Sequence, residues 1–386
     1  MTLENIIEMD KNFYVNIFGD RIPLAFNKGR GCYLTSVEGD EYLDFYGGVA
    51  VNSLGHAHPK FVSALKEQLD SLIHTSSTYY VENQALLAQK LSEISGLSKV
   101  VFANSGAEAN EAALKMARLY FYRYSEPRRK VVTLTNSFHG RTFGTLAASG
   151  QNKFHTPFRP ILQEFHYINP NDDEMLEEID DCTAAVMIEL VQGECGVRDL
   201  DAGYVKRLVE RAKAFDTLVI VDEVQTGIAR TGAWFAYQQY GIKPDIVTVA
   251  KGLGGGVPIG AAMVTDSVAR MIKPGDHGST FAGSPFACRA GLEVIKIIEE
   301  ENLIDNVNVM GDKIREMLNS LGYRNVRGKG LMIGVPVDNS PLVCQMLRDN
   351  HVIVGNVGLD TLRLLPPLIV GEAEVERLGE ALKMLS

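Results

Sequence analysis

The sequence has no Cys-x-x-Cys pair; its five cysteines, Cys32, Cys182, Cys195, Cys288 and Cys344, are widely separated and odd in number. That pattern excludes a disulfide framework or a zinc ribbon and suits a reducing, cytoplasmic compartment. Runs of lysine or arginine are also missing, and 38 basic against 48 acidic residues leave a net charge of −10. Such a balance argues against a nucleic-acid or anionic-membrane surface. The longest strongly apolar stretch without charge, residues 252–265, holds five glycines and a proline and is too short to cross a bilayer. Residues 1–11 carry Glu4, Glu8 and Asp10 and no apolar core, so a chain that is not exported is expected. Repeats and low-complexity segments are absent. With 46% apolar and 22% charged residues, the 386-residue chain has globular composition and length for two or three units.

What is present is an alternation. Short apolar, β-branched runs at 99–103, 130–135, 184–189, 218–222, 245–250 and 259–264 are separated by helical patterns. Most runs are apolar on both faces, as strands covered on both sides by helices must be. Ala109, Ala112, Ala113, Met116, Ala117 and Tyr120 form one stripe at helical spacing, and Tyr204, Leu208, Ala212 and Phe215 a second. The expected fold class is α/β, a large and mainly parallel sheet flanked by helices. The two ends read differently: short strands and turns at 12–52, a helical stretch at 285–321, strands at 331–337 and 361–365, and a final helix from Glu372. These suggest a small α+β domain built from both termini, with 1–58 as its N-terminal segment, 59–290 as the large domain and 291–386 as its C-terminal part.

In such sheets ligands sit beyond the carboxyl ends of the strands, and three strand ends here are polar. Asn104-Ser105-Gly106-Ala107-Glu108-Ala109-Asn110 turns from strand to helix; its free N–H groups suit a phosphate, or it is simply a turn capped by Ser105. Asp222 and Glu223 end an apolar strand, where Asp222 needs a fixed cation or proton donor unless the pair binds Mg²⁺ or caps a turn. Lys251 follows a buried strand and precedes glycines; desolvation there would free its amine to attack a carbonyl, although a snorkelling lysine fits too. Together a phosphate cradle, an acid and a lysine match what pyridoxal phosphate asks of a protein. Phe138 and Arg141 in Phe138-His139-Gly140-Arg141 offer a stacking ring and a cation, or else a packed ring and a surface charge. Arg363 stands in an apolar run and needs a carboxylate partner, which the segment from Glu189 to Glu194 could supply. Rival signals are weaker. Val257 stands where a GxGxxG motif needs its third glycine, no phosphate-loop lysine or GxSxG elbow occurs, and His56 and His58 lack a third metal ligand. No metal is expected.

These motifs, in this order, resemble those of the class III pyridoxal-phosphate aminotransferases of fold type I. The likeness runs from Asp44-Phe45-Tyr46-Gly47-Gly48 through Asp222-Glu223-Val224-Gln225-Thr226-Gly227, Ala250-Lys251-Gly252 and Gly278-Ser279-Thr280-Phe281 to Arg363-Leu364-Leu365-Pro366-Pro367. The resemblance implies that Lys251 holds the cofactor and moves a proton, and that Asp222 pairs with its ring nitrogen. Gln225 would contact its phenolic oxygen, with Phe138 and Val224 on its faces and Glu223 nearby. Ser105, Gly106 and Ala107 would bind its phosphate together with Thr280 from the second subunit of a homodimer. It also implies that Ser279 and Arg141 contact N²-acetyl-L-ornithine, that Arg363 takes the α-carboxylate of glutamate or 2-oxoglutarate, and that Glu194 covers Arg363 when the other substrate is bound. Other ω-amines, or an aminomutase reaction, remain open. Leu190, Cys195 and Ala229 depart from the usual pattern.

Overall fold

The structure, a computed structural model, describes residues 1–385. Its centre is a seven-stranded sheet: β1 (Lys99–Ala103), β2 (Lys130–Leu134), β3 (Phe165–Ile168), β4 (Thr183–Ile188), β5 (Leu218–Asp222), β6 (Ile246–Val249) and β7 (Gly260–Val264). The spatial order is β1-β7-β6-β5-β4-β2-β3. Strand β7 runs antiparallel to both neighbours, and every other pair is parallel. The sheet is therefore mainly parallel, as expected, with one inverted strand.

Strands β2, β4, β5, β6 and β7 are buried along their whole length. Their side chains alternate between two cores: Ile220 packs with Ala112, Ala113, Met116 and Ala117 of helix Gly106–Arg123, whereas Val219 and Val221 pack with Tyr204, Leu208 and Ala212 of helix Ala202–Ala214. Both faces being covered explains why these strands lack polar alternation. Strand β3 escaped the sequence reading because it lies at the sheet edge, where Phe165, His166 and Tyr167 stay partly exposed and no apolar run is required.

The termini meet. Val352–Ile353 adds in parallel to strand Glu41–Asp44 in a four-stranded sheet that also holds Phe26–Arg30 and Tyr33–Ser36. A second four-stranded sheet joins Arg327–Lys329, Met332–Pro336, Thr361–Leu364 and Gly355–Val357. The helical stretch after residue 285 is two helices, Pro285–Glu300 and Leu303–Ser320, broken at Asn302 with φ +51°. Helix Leu3–Phe13 buries none of its residues, and its last residue Phe13 is exposed, as are Val15, Ile17 and Phe18 beyond it. No described helix is long and apolar enough to cross a membrane.

Candidate active site

Because β7 is inverted between two strands that run the other way, the carboxyl ends of β1, β2, β4, β5 and β6 share one edge of the sheet. Beyond that edge lies a cavity of about 420 Å³, lined by Ser105, Gly106, Ala107, Phe138, Arg141, Glu189, Glu194, Asp222, Val224, Gln225 and Lys251 among others. Residues up to 208 positions apart in sequence, Val51 and Ile259, thus converge on one space.

Its base is Asp222, at the end of β5 and only 5% exposed. Oδ1 accepts the Val224 N–H at 2.9 Å; Oδ2 faces His139 Nδ1 at 2.7 Å and accepts from Asn110 Nδ2 at 2.8 Å. Asn110 is itself held by Thr248 Oγ1, which donates to its Oδ1 at 2.6 Å. Three partners on one buried carboxylate fix its direction. Burial alone would lower the His139 pKa, but the hydrogen bond and charge of Asp222, with Glu189 behind, push it up.

Lys251 follows β6 with φ +43°, a left-handed backbone that a non-glycine residue holds only at some energetic cost. Burial, helped by the nearby Arg363 cation, brings its ammonium down to about 8, so its amine is neutral over part of the neutral-to-alkaline range. Glu189, at the end of β4, accepts the Phe138 N–H at 2.9 Å, and burial pushes its carboxyl up to about 7. At the cavity's side, Arg363 Nη1 pairs with Glu194 Oε1 at 2.6 Å and reaches Gly193 O at 3.3 Å, while Nη2 donates to Tyr46 Oη at 3.3 Å. Burial opposes charge on both members of the pair, yet each charge outweighs it for the other: the Glu194 carboxyl is held down and the Arg363 guanidinium up. The carboxylate partner that Arg363 required is therefore Glu194. Arg141 lies with Cζ 3.9 Å above the Phe154 ring and 5.5 Å from that of Phe138.

Three residues stand apart. Glu223 turns away from the cavity: its carboxylate accepts from Thr226 Oγ1 and, at 2.9 Å, from the Tyr237 N–H, and burial pushes it up to about 7. It does not join the cofactor constellation expected of it. Ser279 reaches the site only through Asn104, whose Nδ2 donates to its Oγ at 3.0 Å. Thr280 is exposed in a loop that lines a separate hollow with His74, Ser76 and Ser77, and it does not line this chain's own cavity. His56 and His58 pair with Asp44 and Glu301, at 2.8 and 3.4 Å, and do not converge. The sequence reading assigned no role to Asn110, His139 or Tyr46, and considered Glu189 only within the segment that could pair with Arg363. A signal existed for Asn110, a lone amide on the alanine stripe three residues before Ala113 and seven before Ala117.

Residues 14–385 match the family described as aminotransferase class-III. The chain belongs to that family, whose members transfer amino groups using pyridoxal phosphate. It is 45% identical over 390 residues to the acetylornithine aminotransferase of Caldanaerobacter subterraneus, covering 98% of each chain. Among solved structures it is similar to the ornithine aminotransferase of Toxoplasma gondii (TM-score 0.94, 32% identity, 99% of this chain and 94% of that one). It is also similar to the acetylornithine aminotransferase of Elizabethkingia anophelis (TM-score 0.87, 30% identity, 100% and 98%).

The cavity fits the cofactor. A Cβ on Gly106 would lie 2.7 Å from Val224 Cγ1, so only glycine lets the helix start sit this close to the cavity wall. Gln225 Oε1 is buried without a partner beside it, an orphaned acceptor that a hydroxyl on a bound ring would satisfy by donating to it. Asp222 is an oriented carboxylate for a protonated ring nitrogen, and Lys251 supplies the amine.

Proposed function

We propose that the chain transfers the ω-amino group of N²-acetyl-L-ornithine to 2-oxoglutarate, giving N-acetyl-L-glutamate 5-semialdehyde and L-glutamate, a step of arginine biosynthesis in the cytoplasm. The observation that carries the reading is the Arg363–Glu194 pair beside Lys251. An amino-group donor whose reacting carbon bears no carboxylate meets a neutralised pair there; glutamate and 2-oxoglutarate meet a free guanidinium once Glu194 moves off. The names and identity of the relatives support the choice of donor.

When bound, pyridoxal phosphate supplies an aldehyde for the amine and a ring that withdraws electrons from the carbon bearing it. Lys251 Nζ would hold that aldehyde and is placed to carry a proton to and from the substrate carbon. Asp222, steadied by His139 and Asn110, would face the ring nitrogen. Ser105, Gly106 and Ala107 bind the phosphate at the helix start, joined by Thr280 of the partner subunit, and Gln225, Phe138 and Val224 orient the ring. Arg141 and Ser279 take the carboxylate end of the donor.

A homodimer completes this site. Its support is the exposed apolar surface around Leu72, Ile73, Tyr79, Tyr80 and Phe281, next to a Thr280 that stands off its own cavity. The small domain is assigned to 1–58 with 291–386 and the large one to 59–290, a division supported by the pairing of Val352–Ile353 with Glu41–Asp44.

Single-turnover spectra of the loaded enzyme with N²-acetyl-L-ornithine, L-ornithine and 4-aminobutyrate test the substrate. Acetylornithine is expected to react fastest, and a clear lead for another amine overturns the choice. Repeated turnover without 2-oxoglutarate would make the protein a mutase. A solution mass of one chain would overturn the dimer.

A further inference from the structure

Tyr46 is held more firmly than a surface contact requires. It precedes Gly47, Gly48, Val49 and Ala50, with φ +57°, +62°, +65° and +63°. Four successive left-handed residues, two of them bearing a Cβ, persist only where their surroundings over-determine them. Here the clamp is Asp44, 2% exposed. Its Oδ1 accepts the N–H groups of Tyr46 and Gly47 at 2.9 and 2.8 Å, and its Oδ2 pairs with His56 Nε2 at 2.8 Å. The Tyr46 carbonyl in turn accepts from Val49 and Ala50 at 3.0 and 3.2 Å. The ring lies on Gly355, where any Cβ would collide with it, and Gly355 stands opposite Arg363 in the strand pair. The hydroxyl therefore arrives at Arg363 Nη2.

The remaining contacts of Arg363 share one origin. Glu194 Oε1 and Gly193 O both belong to the turn Gly193–Cys195, and Nε is buried without a partner. Among the described residues, Tyr46 is the one side chain outside that turn that is hydrogen-bonded to the guanidinium. We infer that Tyr46 is a positioning residue that keeps the Arg363 guanidinium aimed at a dicarboxylate when Glu194 has left it. The inference rests on the reading of Arg363 as the dicarboxylate anchor. With an amine donor bound, Glu194 holds Arg363 and Tyr46 is dispensable; with a dicarboxylate bound, Tyr46 sets where the fork points.

The test is Tyr46→Phe, which keeps the ring on Gly355 and removes the hydroxyl. Glutarate, an unreactive five-carbon dicarboxylate, is titrated calorimetrically into the loaded enzyme, alongside the single-turnover rate with N²-acetyl-L-ornithine. Loss of one hydrogen bond to a charged group raises the glutarate dissociation constant about tenfold. The donor half-reaction and the melting temperature change little, a split that general loosening of the fold would not give. Unchanged glutarate binding, or equal injury to both halves, overturns the inference. Arg363→Lys in the same titration separates the two ideas: if it binds glutarate normally, the anchor reading falls and Tyr46 with it. If it loses glutarate while Tyr46→Phe does not, only the role of Tyr46 falls.

Discussion

Asp222 and Arg363 are both buried charges, 5% and 3% exposed, yet they are held in opposite ways. Asp222 is fixed by a backbone N–H, a histidine and an amide, from the turns after two central strands and from the helix packed on the sheet. Arg363 keeps an unpartnered Nε and depends on a carboxylate carried by a three-residue turn. A carboxylate fixed by three partners, with one acceptor direction left over, suits a resident group that never leaves. A cation whose main partner can swing away suits ligands that take turns. The cofactor end is pre-organised and the substrate end exchangeable, a division expected when one site serves two different substrates in succession.

The largest effect expected is at the lysine. Lys251→Ala is expected to lower turnover by at least about 10⁴-fold, because the group proposed to hold the aldehyde and move the proton is gone. The loaded variant also lacks visible absorbance that borohydride abolishes; its persistence would place the nucleophile elsewhere. Asp222→Asn breaks the rigid end, and a loss of about 10³-fold with an altered cofactor spectrum is expected from removing one pre-organised charge in a dry site. Arg363→Ala breaks the exchangeable end instead. Loss of a buried charge that pairs with substrate costs about 2–5 kcal/mol, so the glutamate half-reaction falls by about 10²-fold while the acetylornithine half changes only a few-fold. Equal loss in both half-reactions would erase the contrast between the two charges.

Smaller effects come from protonation. In unloaded enzyme the Lys251 amine, brought down to about 8, is increasingly neutral as pH rises. Cofactor capture followed by stopped-flow absorbance accelerates about tenfold per pH unit below that value and levels off above it. Glu189 gives the opposite sign in stability. Its folded carboxyl is pushed up to about 7 against the ordinary value near 4.5, so the unfolded chain loses this proton first. Stability therefore falls as pH rises between about 4.5 and 7, and the penalty stays in force above that window. Glu189→Gln keeps an acceptor for the Phe138 N–H and removes the charge. It is expected to raise the melting temperature at pH 8 and to leave it nearly unchanged at pH 4.5; equal shifts at both would show that the charge is not the cause.

Six of the seven central strands were legible because a strand covered on both faces must be apolar throughout; only the edge strand Phe165–Ile168 lacked that mark. Lys251, Asp222 and Arg363 were legible for the converse reason, being charges placed where burial makes an unpaired charge costly. Glu223 misled because adjacent residues leaving a strand point to opposite sides, and its charge is satisfied by Thr226 and Tyr237 away from the cavity. Tyr46 could not be read at all. Nothing local distinguishes it from other tyrosines, and its meaning comes from Arg363, 317 positions away.

The amino-acid order by itself determined the covered sheet, the helices on both faces and the set of charges at the strand ends, since periodicity and burial cost act over a few residues. Only the tertiary structure decided which charges meet. The inversion of β7, the joining of the termini at Glu41–Asp44 and the aim of Tyr46 at Arg363 depend on contacts across hundreds of residues, and such contacts leave no periodic trace along the chain.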